Sequence, residues 1–229
     1  MKVIMDADNS LLRALRDIST RQNVTAALAD YLETYFADAD LETFADARPE
    51  EMHAAALQHY RLGRQRAPGQ AQIALYSPDF DRHGWHSPHA VIDIVTDDMP
   101  FLVDSITMTV YRHGLSIHKL MHPVLGVERD AEGHVVRCAA RGSAATQPES
   151  WIHLEIDRLS DARTIDALCG EIAEHLADVR AAVDDHAAMR AQVSAALADL
   201  CPAGEATGGA GGERAEIADF LRWVANENF

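Results

Sequence analysis

Hydrophobic positions in the first part of the chain recur at helical spacing. Apolar residues repeat every three or four positions over residues 11–18 and again over 24–36, which is typical of the buried face of a helix. Asn23 stands where an N-cap would satisfy the first free N–H groups of the second helix. Pro49, followed by two glutamates, marks the first turn of a third helix. We therefore predict an N-terminal helical segment over residues 1–68.

Strand patterns replace the helical pattern after residue 70. Apolar runs, or alternation of apolar and polar residues, predict five strands. The segment 90–96 is almost wholly apolar, which is typical of a strand in the middle of a sheet. The predicted strands cover residues 72–76, 90–96, 115–128, 134–139 and 151–157.

Residues 99–113 fit two patterns. The alternation of apolar residues with Thr107 and Thr109 resembles a strand. Pro100 at the start and Gly114 at the end are instead typical of helix boundaries. We favour a helix, because helical geometry would collect the apolar side chains into one stripe.

Helical periodicity returns after residue 160 and continues to residue 200. An unbroken helix of that length would measure about 60 Å at 1.5 Å per residue, so we expect a kink near residues 184–188 or a protruding arm. The chain ends abruptly in Asn228-Phe229, which favours truncation. The predicted organisation is a helical segment at 1–68, an α+β domain at 70–183, a helical extension at 184–203, a Gly-rich linker at 204–212 and the start of a further domain at 213–229.

Composition and charge exclude several classes of function. With 36 acidic against 20 basic residues the net charge is −16, whereas nucleic-acid binding needs clustered Lys and Arg. No apolar run is long enough to span a membrane. Three scattered cysteines and the lack of a secretory signal predict a cytoplasmic location. Ser105 and Cys138 lack the motifs of catalytic nucleophiles, so we predict no catalytic residue.

One long motif carries a family resemblance. The sequence TDDMPFLVDS at residues 96–105, followed by HGL at 113–115 and HPV at 122–124, resembles the N-terminal region of the large bacterial type of NAD-dependent glutamate dehydrogenase. Members of that family are several times longer, with the dehydrogenase core far downstream. The resemblance implies a non-catalytic segment with no cofactor of its own. It implies that the parent enzyme oxidatively deaminates L-glutamate to 2-oxoglutarate and ammonia with NAD.

The same region of the family resembles ACT domains, which are βαββαβ modules that often bind amino acids. The order of predicted elements between residues 90 and 180 is β, α, β, β, α, and residues 72–76 would supply the missing strand. The resemblance therefore implies an α+β fold, namely a ferredoxin-like (ACT-type) βαββα domain. An N-terminal helical segment and a long C-terminal helix would be added to it.

ACT modules bind ligands at the turn from the first strand to the first helix, where free N–H groups and the helix dipole attract a carboxylate. ACT modules commonly have glycine after the proline of this turn, and the ring of Phe101 would occupy the pocket in its place. In the alternative interpretation, the aspartates only cap the helix and Phe101 packs in the core. The resemblance implies an amino-acid effector site at Asp97, Asp98, Met99, Pro100, Phe101 and Leu102.

Two further classes of function stay open. A purely structural oligomerisation module would bind no small molecule, and the long helix and Phe101 favour it. His83, His86 and His89 suggest metal ligands by their regular spacing, but a closed zinc site needs four ligands. We expect a polar surface loop and no metal there. The expected partners are further copies of the chain, the downstream catalytic region of the parent chain and an amino-acid effector, without nucleic acid or membrane.

Overall fold

The structure is a computed structural model that describes residues 13–20, 24–37, 48–200 and 212–226. The chain forms two compact units, Met1–Ala177 and Asp178–Phe229. The first unit contains the sheet, and the described part of the second is helical.

The described residues form seven helices and six strands. The helices are α1 (13–20), α2 (Ala26–Ala37), α3 (Pro49–Gly63), α4 (Phe80–His83), α5 (Leu102–Arg112), α6 (Ala162–Leu200) and α7 (Glu213–Ala225). The strands are β1 (Gln72–Tyr76), β2 (Ala90–Asp97), β3 (Ile117–Met121), β4 (Val124–Arg129), β5 (Val135–Ala140) and β6 (Gln147–Ile156).

Helices α2 and α3 begin where local sequence favours a helix start. The Thr25 hydroxyl accepts a hydrogen bond from the N–H of Leu28 at 3.4 Å, the contact that an N-cap makes. Asn23, the predicted N-cap, lies outside the described residues. Pro49 occupies the first turn of α3, and Glu50 follows it where the helix dipole favours negative charge. The predicted start of the third helix is confirmed.

Helix α5 resolves the ambiguity of residues 99–113 in favour of a helix. Leu102, Ile106 and Val110 are each at most 1% exposed, so they form the predicted apolar stripe. Gly114 follows the helix with φ of 71°, a left-handed conformation that glycine adopts without a steric penalty.

All six strands belong to one antiparallel sheet whose longest member is β6. Strand β6 pairs with β2 on one side, and on the other side it pairs with β3 and β4 in succession. The single strand predicted over residues 115–128 is therefore wrong, because Pro123 lacks the N–H that a continuous strand needs. The Pro123 carbonyl still accepts a hydrogen bond from the N–H of Trp151 at 3.0 Å, so the two short strands stay aligned on β6.

The α+β class and the antiparallel sheet are confirmed, but a ferredoxin-like strand order is not. The observed order is β1-β2-β6-β4-β5, with β3 also on β6. Strand β1 lies at one edge of the sheet, where it pairs with β2, the strand that follows it in the chain. Strand β5 forms a hairpin with β4 and adds a further strand at the opposite edge.

The N-terminal helices cover one face of the sheet. Tyr31 and Tyr35 of α2 are buried in a single core cluster with Trp151 of β6 and Leu125 of β4. The rings of Tyr31 and Trp151 lie 4.8 Å apart between centroids. Burying a large apolar side chain stabilises the fold by about 1.5–3 kcal/mol. The buried aromatic side chains therefore hold α2 on the sheet.

The opposite face of the sheet lies under α5 and the first part of α6. Ile94 pairs with Ile152 across β2 and β6, and both are fully buried. Since neighbouring residues of a strand point to opposite faces, these two side chains point away from Trp151. The Thr109 hydroxyl of α5 lies 2.8 Å from Nδ1 of His175 on α6, and this contact joins the two covering helices.

Helix α6 is continuous through residues 184–188, so the kink, the first of our two alternatives, is absent. Asp184, Asp185 and His186 are all exposed, so their polarity does not require a break. Within the second unit, the Arg214 side chain donates to the Leu200 carbonyl at 3.1 Å. Residues 204–211 of the predicted linker lie outside the described residues. No described helix is both long enough and apolar enough to cross a bilayer.

Candidate functional site

Asp97 and Asp98 close the turn between β2 and α5, and each carboxylate contacts an arginine. Asp97 accepts from Arg66 Nη2 at 2.5 Å and from the N–H of Gly69 at 3.1 Å. Asp98 lies 2.8 Å from Arg141 Nη2 and accepts from the Ser150 hydroxyl at 2.8 Å. None of these four contacts is with α5, so none of them caps the helix as the alternative interpretation expected.

Phe101 is the N-cap residue of α5, and it adopts a conformation that usually requires glycine. Its φ is 67° and its ψ is 5°, which is left-handed and costs a non-glycine residue about 1–2 kcal/mol. The side chain is 67% exposed. The ring therefore neither packs in the core nor occupies a buried pocket. Leu102, the next predicted site residue, is 1% exposed and belongs to the apolar stripe.

A buried group that we call the arginine network lies beneath this turn and consists of Arg66, Asp97, Arg129 and Glu149. Glu149 accepts from Arg66 at 2.7 Å and from two nitrogens of Arg129 at 2.7 Å each. Arg66 is 3% exposed and Glu149 is 2% exposed. Burial lowers the pKa of Arg66, but Glu149 and Asp97 outweigh that effect and raise it above its usual value. The Arg66 guanidinium therefore keeps its positive charge although it is buried.

A second buried group, which we call the histidine network, consists of Tyr35, His59, Tyr76, Asp93 and His153. Asp93 accepts from His153 Nδ1 at 2.6 Å and from the Tyr76 hydroxyl at 2.8 Å. His59 Nδ1 lies 3.0 Å from the Tyr35 hydroxyl. Asp93, His59 and His153 are each at most 2% exposed, so the network lies wholly inside the first unit.

The hydrogen bonds of His59 fit a neutral ring. Its Nε2 lies 3.2 Å from the Ile94 carbonyl, which can only accept, so Nε2 carries the proton. Nδ1 then accepts from the Tyr35 hydroxyl. Burial lowers the pKa of His59, in agreement with this tautomer. Burial raises the pKa of Asp93, but the contacts with His153 and Tyr76 act in the opposite direction, and the net shift is downward.

The three histidines of the loop before β2 do not converge. His83 Nδ1 accepts from the N–H of Asp79 at 3.0 Å. His89 stacks on His118 with ring centroids 3.9 Å apart, and His86 is exposed. Their sequence spacing therefore does not bring their ring nitrogens together.

Two other groups among the described residues have the spacing of metal ligands. One consists of His59, Asp93 and His153 of the histidine network, and the other of Asp130, Glu132 and His134. Asp130 accepts from the N–H groups of Glu132 and His134 at 3.1 and 2.8 Å, which closes the β4–β5 turn. The side chains of His59, Asp93 and His153 already serve hydrogen bonds within the protein, and those of Asp130 and His134 bond each other.

Cys138 of β5 is unsuited to nucleophilic chemistry. It is 4% exposed, and burial raises the pKa of its thiol to about 12. A thiolate is the reactive form of cysteine, so this side chain is protonated at neutral pH. Ser105 lies on α5, where its N–H donates to the Phe101 carbonyl at 3.0 Å.

Both buried networks were missed from the sequence. The one available signal was Asp93, a carboxylate inside an otherwise apolar strand, because a buried charge requires a partner. Arg66 and Glu149 are 83 residues apart, and no local pattern links such distant positions.

A family model described as "Glutamate dehydrogenase, ACT1 domain" matches residues 31–172. The matched segment begins within α2 and ends within α6, so it contains the whole sheet.

Three curated relatives are similar to the chain, and each is described as an NAD-specific glutamate dehydrogenase. The protein of Halomonas elongata is 33% identical over 232 residues, which cover 98% of this chain and 14% of the relative. The protein of Pseudomonas aeruginosa is 33% identical over 87% of this chain and 12% of its own length. The protein of Mycobacterium tuberculosis is 30% identical over 75% of this chain and 10% of its own. The chain thus spans about a seventh or less of these relatives.

Proposed function

Because the chain belongs to the family of glutamate dehydrogenase ACT1 domains, we propose that it is a non-catalytic regulatory and assembly segment of a large NAD-dependent glutamate dehydrogenase. Two matches carry the proposal. The chain matches the model of an ACT-type domain, and it aligns with only a small share of each of the much longer dehydrogenases. The parent enzyme would oxidatively deaminate L-glutamate to 2-oxoglutarate and ammonia. It would bind NAD in its downstream region and act in the cytoplasm.

The turn between β2 and α5 is the proposed effector site. The N-cap residue Phe101 makes no side-chain hydrogen bond to the first N–H groups of α5, and together with the helix dipole these groups favour a carboxylate ligand. Because the Phe101 ring is exposed, it leaves the backbone of the turn open to a small molecule. The Arg141 side chain is 66% exposed and contacts Asp98, so it is placed to bind an amino-acid carboxylate as well.

Steady-state reduction of NAD with L-glutamate tests this proposal. We expect no reduction by the 229-residue chain alone. In the parent enzyme, a saturating amino acid should change the rate by about fivefold or more, the usual size of allosteric coupling. Asp98→Asn should remove this response, and Asp104→Asn, an exposed change on the adjoining helix α5, should preserve it. Reduction of NAD by the chain alone, or the same response in both variants, would contradict the proposal.

A structural oligomerisation module is the second candidate, and the exposed face of α5 favours it. Phe101, Met108 and Tyr111 are 67%, 62% and 60% exposed. Phe101 and Met108 are about two helical turns apart, and Met108 and Tyr111 about one turn. The three side chains therefore form an apolar stripe on the outer side of the helix. Sedimentation of the chain should show a dimer that Met108→Glu dissociates, with no dependence on amino acids. A monomer at all concentrations would exclude this candidate.

A further inference from the structure

The described part of the second unit contains almost no core. Helix α6 runs through it over residues 178–200, and α7 follows with 13 residues. Among residues 178–200 and 214–226, Ala218 alone is buried, at 2% exposure. A helix as short as α7 is marginal by itself in water, and in proteins such helices are stabilised mainly by packing of an apolar side. The unit therefore leaves apolar surface that another segment can cover.

Helix α7 exposes three large apolar side chains on one side. Phe220 is 60% exposed, Trp223 is 46% exposed and Ile217 is 43% exposed. They follow one another at intervals of three positions, so they lie within about 120° of each other around the helix. We call this surface the α7 face. The rings of Phe220 and Trp223 stack with their centroids 6.2 Å apart, so the face contains a continuous aromatic patch.

The α7 face differs from the side of the helix that packs within the second unit. Ala218 comes one position after Ile217, which turns it by about 100° around the helix axis. On α6, the Arg190 side chain donates to the Ala225 carbonyl at 3.5 Å. Arg214 of α7 donates to the Leu200 carbonyl of α6. Helix α6 thus holds α7 in place while the α7 face points outward.

The surroundings of the α7 face are typical of a protein–protein interface. Asp219 and Arg222 form an ion pair at 2.5 Å beside it, which gives the apolar centre a polar rim without net charge. Exposed aromatic patches with such a rim mark interaction sites, and aromatic side chains supply much of their binding energy. The net charge of −16 disfavours an anionic lipid surface. A protein surface is therefore the better fit.

The relatives indicate which protein segment covers the face. The family model ends at residue 172, so the second unit lies outside the ACT1 domain. The Halomonas elongata relative nevertheless aligns with 98% of this chain, which leaves out about five residues. The aligned part is 14% of that relative. The second unit is thus shared with a protein about seven times as long as this chain.

In such a long protein, the region downstream of α7 has an advantage over a second copy of the chain. It is joined to α7 covalently, and a short connection gives an effective concentration in the millimolar range. A second copy binds only at its own free concentration. The same apolar contact is therefore made first by the downstream region.

We infer that the α7 face is the docking surface for the downstream region of the parent enzyme, which covers Phe220 and Trp223 with an apolar surface of its own. The inference rests on the proposed function, because it needs the long parent chain. It deepens that function by naming the contact through which the segment is assembled with the rest of the enzyme.

Photo-cross-linking in the parent enzyme tests this inference. Phe220 is replaced by the photoreactive analogue p-benzoylphenylalanine, and the cross-linked peptide is identified by mass spectrometry. We expect a peptide from beyond residue 229. The matched control carries the analogue at Phe80, a phenylalanine of α4 that is 65% exposed, and should not label that peptide. A peptide from residues 1–229, or no cross-linked peptide, overturns the inference.

Amide hydrogen exchange measures the protection of α7. Residues 214–225 should exchange about tenfold or more slowly in the parent enzyme than in the 229-residue chain. In the parent enzyme, Phe220→Glu should restore fast exchange and Phe80→Glu should keep it slow. Because the Phe220 ring is already exposed in the 229-residue chain, Phe220→Glu should not change the circular dichroism of that chain. Phe220→Ala takes its place if the added charge unfolds α7.

Three exchange results would overturn the inference. They are equal exchange in the parent enzyme and the chain, slow exchange that persists in the Phe220 variants, and protection in the chain alone that grows with its concentration. The last result would mean that a second copy covers the face. Neither measurement uses an amino acid or NAD, so a missing effector response, which would contradict the proposed function, leaves these results unaffected.

Discussion

The two buried networks of the sheet lie next to each other on β2 and β6 but use different chemistry. In the arginine network one carboxylate, Glu149, bonds two guanidinium groups that stay protonated at any pH. In the histidine network a carboxylate bonds an imidazole and a phenol, and a second imidazole is kept neutral. The contacts of the two arginines should therefore change little between pH 5.5 and 7, whereas the neutral imidazole of the second network should make stability depend on pH.

The largest expected effect comes from Glu149→Gln. This change leaves Arg66 and Arg129 buried with reduced compensation, and breaking a buried pair costs about 3–5 kcal/mol. Urea unfolding should show this loss at pH 7 and again at pH 5.5, because the arginines do not titrate. The control is Glu128→Gln in the exposed pair with Arg137, which should cost less than about 1 kcal/mol. A loss of similar size in both variants would mean that Glu149 has no special role.

Gly133→Ala should have the next largest effect, since it forces the β4–β5 turn away from Arg66. A Cβ at Gly133 would lie 2.4 Å from the Arg66 carbonyl oxygen, and φ there is +83°. Gly142→Ala is the matched control, because its φ is +81° but nothing lies within 4 Å of the added Cβ. Gly133→Ala should destabilise the fold by about 1–3 kcal/mol more than the control. Equal urea midpoints for the two variants would rule out this close approach.

The histidine network should make the unfolding free energy fall in mild acid. Burial lowers the pKa of His59, so below about pH 6.5 the unfolded chain binds a proton that the folded chain does not. Stability is then complete above pH 6.5 and falls with decreasing pH by at most about 1.4 kcal/mol per unit. Urea unfolding between pH 7.5 and 5 should show a shallower slope for His59→Gln than for the wild type. The exposed change His134→Gln should keep the wild-type slope, and a wild-type slope in His59→Gln would refute the assignment.

The smallest expected effect is at Phe101, next to the arginine network. Phe101→Gly relieves the left-handed conformation but makes the unfolded chain more flexible. Because the ring is largely exposed, little apolar contact is lost. We expect a gain of at most about 1 kcal/mol in urea unfolding. A loss above about 1 kcal/mol would show that the ring has a packing role.

Local patterns predicted the elements of the fold better than their pairing. A short apolar segment placed β1, an almost wholly apolar run placed β2, and Pro100 with Gly114 identified α5 as a helix, because these signals act within a few residues. The division of residues 115–128 into β3 and β4 was also readable at Pro123. The strand order was not, since the positions of β1 and β5 depend on contacts between distant segments.

The predicted effector site shows the same limit. Its residues form one turn, as the sequence implied, but the partners of Asp97 and Asp98 are arginines from other parts of the chain. The left-handed conformation of Phe101 was not predicted, because a bulky residue rarely adopts it.

The central claim is that this chain senses a small molecule, and its melting temperature tests that claim most directly. The chain is heated alone and with single amino acids, 2-oxoglutarate or NAD. A ligand at about 100 times its Kd stabilises the fold by about 2.7 kcal/mol, which raises Tm by roughly 5–10 °C for a chain of this size. We predict such a rise with at least one amino acid and none with NAD. An unchanged Tm with every amino acid would contradict the claim and leave the oligomerisation module as the function.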